Sequence, residues 1–94
     1  MPHPYQAYRK VVTRMERELL SGIKSEGLAK MVIARRDGQW VSMEELSNYG
    51  LHRALLHLLE DMQLILVTQH STSPLLKLTA KGLQIVIKHV RGTL

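Results

Sequence analysis

Apolar residues recur near the start of the chain at Tyr5, Tyr8, Val12, Met15 and Leu19, the alternating three- and four-residue spacing that lays a seam along one side of an α-helix. Arg9, Lys10, Arg14 and Arg17 fill the positions between them. Pro4 suits a first helical turn and Ser21-Gly22 supplies a stop, so the pattern predicts a helix over residues 5–20. Two heptads are too few for an autonomous coiled coil, so the seam covers either its own domain or a second chain. A second amphipathic stretch, Glu26–Arg36, carries Leu28, Met31 and Val32 before Asp37-Gly38 breaks it.

Gln39-Trp40-Val41 then reads as a very short strand, and Ser42-Met43-Glu44-Glu45 as a capping box in which Ser42 caps a short helix over 43–48 and Glu45 reaches back. Asn48-Tyr49-Gly50 makes a tight turn into a helix over 51–62, with Leu51, Leu55, Leu58, Leu59 and Met62 on one side. A short helix, a tight turn and a longer helix is the grammar of a helix-turn-helix. Leu64–Gln69 and Leu75–Leu78 form a hairpin around the polar turn Ser71-Thr72-Ser73-Pro74. Thr79 caps a last helix over 80–90, whose apolar positions are Leu83, Val86, Ile87 and Val90.

With 94 residues this is one small domain, and at that size burial against a partner matters to stability. The lack of cysteine excludes disulfides, thiolate nucleophiles and sulfur-ligated zinc, and points to a reducing compartment. Apolar runs such as Leu64–Val67 fall far short of a membrane span, and the first twelve residues hold no signal-peptide core. The expected location is cytoplasmic, without a membrane partner. The net charge of +5 favours an anionic partner, and its distribution is uneven. Residues 1–41 hold eight bases against four acids, residues 42–70 hold Arg53 against Glu44, Glu45, Glu60 and Asp61, and residues 71–94 hold Lys77, Lys81, Lys88 and Arg91 with no acid. A polyanion should therefore meet the two ends of the chain as well as its middle.

Three local stretches add to the element order. Gln39-Trp40-Val41-Ser42-Met43-Glu44-Glu45-Leu46 is similar to the strand-and-cap opening of winged helix-turn-helix domains, and Leu59-Glu60-Asp61-Met62-Gln63-Leu64-Ile65 to the exit of their recognition helix, with Gln63 where glycine usually stands. Leu78-Thr79-Ala80-Lys81-Gly82 is similar to the end of their wing. Over about residues 24–83 the chain resembles PadR- and MarR-like small regulators. The resemblance implies a mainly α fold with a small β-hairpin: a winged-helix core over 24–79, an extra N-terminal helix over 5–20 and a C-terminal helix over 80–91, in a single domain. It also implies sequence-specific binding of double-stranded DNA as a homodimer.

A helical wheel of Leu51–Met62 puts Arg53, Ala54, His57, Glu60 and Asp61 opposite the leucines, where a groove-facing surface would lie. The planar fork of Arg53 suits two acceptors on a guanine edge, small Ala54 lets the backbone approach the groove, and His57 lies one turn from Arg53. Tyr49, in the turn, joins the candidate contacts. His52 falls on the apolar side and reads first as a packed or turn-capping residue, then as a phosphate contact. Ser71, Thr72 and Ser73 are either a turn chosen for its conformation or hydroxyl donors to phosphate, and Lys77 is a backbone contact. Arg35 and Arg36 complement the dipole of their helix or touch phosphate. The dimerisation surface is expected from Tyr5, Tyr8, Val12, Met15 and Leu19 with Leu83, Val86, Ile87 and Val90.

His52 and His57, five residues apart, diverge around the helix instead of sharing the i,i+4 face a metal needs, so no metal and no cofactor is expected. The hydroxyls lack a paired base and there is no glycine-rich phosphate loop, so an enzyme is not expected either. The leading expectation is a small dimeric transcription regulator. The alternatives are a plasmid or viral DNA partition factor that spreads on DNA, and a winged-helix module that contacts proteins and not DNA.

Overall fold

The structure is a computed structural model that describes residues 4–68 and 73–92, with side chains from Ala7 onward. Its elements are α1 (Pro4–Leu20), α2 (Ser25–Arg36), β1 (Val41–Ser42), α3 (Met43–Ser47), α4 (Arg53–Asp61), β2 (Ile65–Thr68), β3 (Leu75–Leu78) and α5 (Ala80–Gly92). The chain is mainly helical with one small antiparallel sheet. β2 and β3 pair from Ile65↔Leu78 to Thr68↔Leu75, the hairpin expected around the polar turn. β1 adds a third strand through Val41↔Leu76 and Ser42↔Leu75, giving the order β1-β3-β2. Val41, Ile65, Leu76 and Leu78 point inward from this sheet, while Leu66 and Lys77 oppose each other on its outer face.

Leucines dominate the core. Leu20 and Ile23 enter from the end of α1, Leu28 and Met31 from α2, Leu46 from α3, and Leu55, Leu56 and Leu59 from α4, closed by the inner sheet residues and Val86 of α5. The α4 helix is shorter than its pattern suggests, because Leu51 precedes it and His52 caps it. Its buried face is also rotated. Leu56, absent from the expected apolar set, is buried, and Leu58, expected inside, is 48% exposed. A run of four leucines around one histidine can be registered on a wheel in two ways, and contact with β2 selects the one centred on Leu55, Leu56 and Leu59.

The seam of α1 is displaced in the same manner. The side facing the body is set by Leu20 and by Glu16, which is only 3% exposed. Val12 and Leu19 are half-buried beside them, whereas Tyr8 and Met15 stand 69% and 49% exposed. Glu16 Oε2 lies 3.3 Å from Lys81 Nζ, and the same ammonium donates to the Met62 carbonyl at 3.3 Å. One lysine of α5 therefore holds α1 and the end of α4 together. A buried carboxylate needs such a partner, since burial of an uncompensated charge costs several kcal/mol.

Three helices begin with side-chain caps. Ser42 Oγ accepts from the Glu45 amide at 3.0 Å, His52 Nδ1 from the Leu55 amide at 3.2 Å, and Thr79 Oγ1 from the Gly82 amide at 2.9 Å. The reciprocal half of the expected capping box is replaced, because the Glu45 carboxylate pairs with Lys30 of α2 at 3.2 Å. That hydrogen bond holds the Lys30 ammonium above its ordinary pKa. His52 is exposed and acts as a cap, not as a packed residue.

Two helices end in the same left-handed motif made from different residues. After α2, Gly38 at φ 69° sends its amide to Arg35 O, and Gln39 sends its amide to Ala34 O. After α4, Gln63 at φ 61° sends its amide to Glu60 O, and Leu64 sends its amide to Leu59 O. Glycine adopts this conformation freely; glutamine does not. Beyond this turn, the Cα of Gly82 meets the Leu64 backbone so closely that a Cβ there would overlap the Leu64 carbonyl.

Two substitutions should therefore shift stability in directions opposite to helix-propensity rules. Gln63→Gly relieves the strained cap and should raise the unfolding free energy by about 0.5–1 kcal/mol. Gly82→Ala would gain about 1 kcal/mol in an unencumbered helix, yet here it should cost about 1–3 kcal/mol as the backbone is forced apart. Urea denaturation of both variants checks this, and a stabilised Gly82→Ala protein would refute the close approach.

Candidate nucleic-acid interface

Helix α4 presents Arg53, Ala54 and His57 to solvent, on the side away from Leu55, Leu56 and Leu59. The rotation of its buried face puts His57 and Asp61 at the centre of the outward arc, with Arg53 and Ala54 flanking them. None of these four side chains has a hydrogen-bond or ion-pair partner among the described residues, so all are available to a ligand. Exposed Leu58 and Glu60 adjoin the same surface. The short turn before α4 rests on the body: the Lys24 amide donates to Tyr49 O at 2.8 Å, and Gly50, at φ 106°, packs against the Gly22 carbonyl.

Several candidates make contacts within the fold. Tyr49 is half-buried, its ring base packed against Gly27 of α2 and its face 5.8 Å from the Lys30 ammonium. Arg35 donates through one guanidinium nitrogen to the Leu78 carbonyl at 2.8 Å, bolting the end of α2 to β3. Arg36 is exposed and lies 3.5 Å from the neighbouring Asp37. Lys77 extends over the ring of Trp40 at 5.6 Å, a cation–π contact across the outer face of the sheet that the sequence pattern did not suggest. Ser73 is half-buried in the bend two residues before β3, while Ser71 and Thr72 lie outside the described residues.

The expected dimerisation residues divide likewise. Val86 is 1% exposed and belongs to the core, so it is withdrawn from any partner surface. Leu83 and Leu19 are half-buried against that core. Ile87 and Val90 of α5 line, with Val32 and Ile33 of α2, a shallow hollow of about 300 Å³. On α1, Tyr8 and Met15 remain outward, joined by Val11, which the heptad reading passed over and which is 56% exposed. Of Tyr5 only the backbone lies within the described structure.

No helix among the described residues is long and apolar enough to cross a membrane, and no group of three or more histidine, aspartate or glutamate side chains among them is placed to hold a metal ion. The chain matches no protein-family model and no curated protein.

Proposed function

We propose that the chain is a winged helix-turn-helix protein that binds double-stranded DNA as a homodimer and serves as a small transcription regulator. The observation that carries this reading is the outward face of α4: a capped helix following a tight turn, buried on one side and offering Arg53, Ala54 and His57 without partners on the other. The α2-β1-α3-α4-β2-β3 order supports it, with β2 and β3 as the wing and β1 as its third strand. A helix in the major groove reads base edges through two or three such side chains, while contacts to phosphate set its register.

The homodimer is supported by two apolar surfaces that one copy leaves open. Tyr8, Val11 and Met15 form a stripe on α1, and Val32, Ile33 and Ile87 border the hollow between α2 and α5. Each protomer would seat its stripe in the hollow of the other, a self-complementary arrangement with two-fold symmetry. A second reading, contact with a basic protein, is favoured by exposed Leu58 beside Glu60 and Asp61 on α4.

Light scattering at micromolar concentration should report twice the chain mass. Met15→Glu should lower that mass while leaving thermal unfolding of the monomer within about 0.5 kcal/mol, because Met15 is exposed. A monomeric wild-type protein under those conditions ends the dimer proposal.

Nuclease footprinting on the DNA upstream of the gene tests the regulator directly. A bounded footprint supports operator binding, an expanding one supports a partition factor, and none supports the protein-contact reading. On a cognate site Arg53→Ala should weaken binding by about 1–3 kcal/mol and relax preference at one position per half-site, and Arg53→Lys should restore only part of the loss. An equal loss on scrambled DNA would make Arg53 a phosphate contact, and no loss on either would remove α4 from the interface.

A further inference from the structure

Helix α1 has three sides. One packs on the body through Glu16 and Leu20, and a second is the apolar stripe of Tyr8, Val11 and Met15. On the third, Lys10, Arg14 and Arg17 fall within about 60° of one another at 100° per residue, with Arg9 nearer the buried side. All four bases are exposed, and none has a side-chain partner among the described residues. The helix carries two acids, and the structure removes one of them from the surface: Glu16 is turned inward and neutralised by Lys81, leaving Glu18 alone beside the stripe.

Elsewhere much of the positive charge is engaged within the fold, and the exposed bases without a side-chain partner among the described residues, Lys24, Arg53, Lys88 and Arg91, do not form so dense a row on one helix face. Lys30 pairs with Glu45, Lys81 with Glu16 and Arg36 with Asp37, Arg35 bonds Leu78 O, and Lys77 covers Trp40. Residues 42–70, which hold α3 and α4, carry one base against four acids. The segment of α3 and α4 would thus approach a phosphate backbone with net charge of the same sign, Arg53 being its one base, and most of the neutralising cations would come from other elements.

We infer that the basic side of α1 is a sequence-independent contact to the phosphate backbone of a nucleic-acid duplex, an inference that rests on the DNA-binding reading above and places its electrostatic contribution outside the helix-turn-helix. The spacing fits. From Lys10 to Arg17 the helix rises ~10 Å, at 1.5 Å per residue. A single strand of a duplex presents one phosphate per ~3.4 Å of axis, so three bases face about three phosphates. The side bearing these bases contains no apolar residue: Lys10, Thr13, Arg14, Arg17 and Ser21 line it with Glu18 at its margin. A lipid surface would need the apolar stripe to lead with bases on both flanks, whereas here one flank of that stripe is the body of the domain.

The test uses the full chain, a labelled duplex of mixed sequence with a cognate duplex beside it, and binding measured by fluorescence anisotropy across a salt series. The variant combines Lys10→Gln, Arg14→Gln and Arg17→Gln, with Lys24→Gln/Arg91→Gln, two exposed bases off this side of α1, as a control that removes two charges. The triple variant should flatten the slope of log affinity against log salt by about 2.7, at ~0.9 per phosphate, equally on both duplexes and with the preference between them retained. Its light-scattering mass and melting temperature should match the wild type, and the control should leave the slope within one. An unchanged slope in the triple variant, or a loss matched by the control, overturns the inference. Loss of binding to vesicles of phosphatidylserine and phosphatidylcholine with duplex binding intact overturns it in favour of a membrane surface. Failure of the wild type to bind either duplex refutes the DNA reading itself, whereas a flattened slope with no effect of Arg53→Ala refutes only the role of α4.

Discussion

The tightest constraint in this fold is the crossing of the first turn of α5 over the turn that ends α4. Thr79 donates its amide to Leu64 O at 3.0 Å and its hydroxyl to Gln63 O at 2.6 Å, Lys81 donates to Met62 O, and Gly82 lies flat against the Leu64 backbone. Three successive carbonyls are thereby satisfied by one helical turn, including orphans that the end of any helix leaves. The arrangement explains the run Thr79-Ala80-Lys81-Gly82 residue by residue. The threonine caps its own helix while bonding the turn, the lysine reaches past it, and only a residue without a Cβ permits the approach.

Lys81 extends this joint to α1. By engaging Glu16 as well as Met62 O, it makes the orientation of the N-terminal helix depend on the same turn that positions the end of α4. The direction of the whole helix follows. With a carboxylate directed inward, the apolar stripe cannot also face the core, so Tyr8, Val11 and Met15 are left outward and the basic residues fall on the remaining side. A seam packed by hydrophobic burial alone would have put Met15 where Glu16 is. Buried ion pairs contribute little net stability compared with well-packed apolar groups, yet they discriminate strongly between orientations because the wrong one strands a charge.

Much of the secondary structure was legible because its punctuation is chemical. Ser42, Thr79, Gly38 and the Asn48-Tyr49-Gly50 turn mark ends that the structure keeps, and the stretch between the polar turn and Thr79 gives the bounds of β3. What periodicity could not supply is rotation. In α4 the choice between Leu58 and Leu56, and in α1 between Met15 and Glu16, turns each helix by a fraction of a turn, and both are decided by long-range partners, β2 for one and Lys81 for the other. The candidate site suffered in proportion. Arg53, Ala54 and His57 are outward under either rotation, so they are exposed as expected, but Tyr49 and Arg35 are claimed by Gly27 and Leu78 O. Gly27 opposite a bulky residue is a signal a sequence reading could use; nothing local to Arg35 reveals its carbonyl partner.

The same accounting bears on where charge can act. A cation already paired within the fold must give up that partner to meet a ligand, so exposed but engaged residues such as Lys30 and Arg36 contribute less to an outer field than their formal charge suggests. Counting by element overstates α2 and the sheet and understates α1, whose one inward acid no longer offsets its bases at the surface. In the proposed DNA-binding reading, geometry and charge would divide the labour between two helices. The α4 face is small and nearly neutral in its outward groups, while α1 presents a cationic side of Lys10, Arg14 and Arg17. Under the proposed reading, binding strength and binding specificity would be separable in this molecule, because the residues assigned to each sit on different elements joined through one lysine.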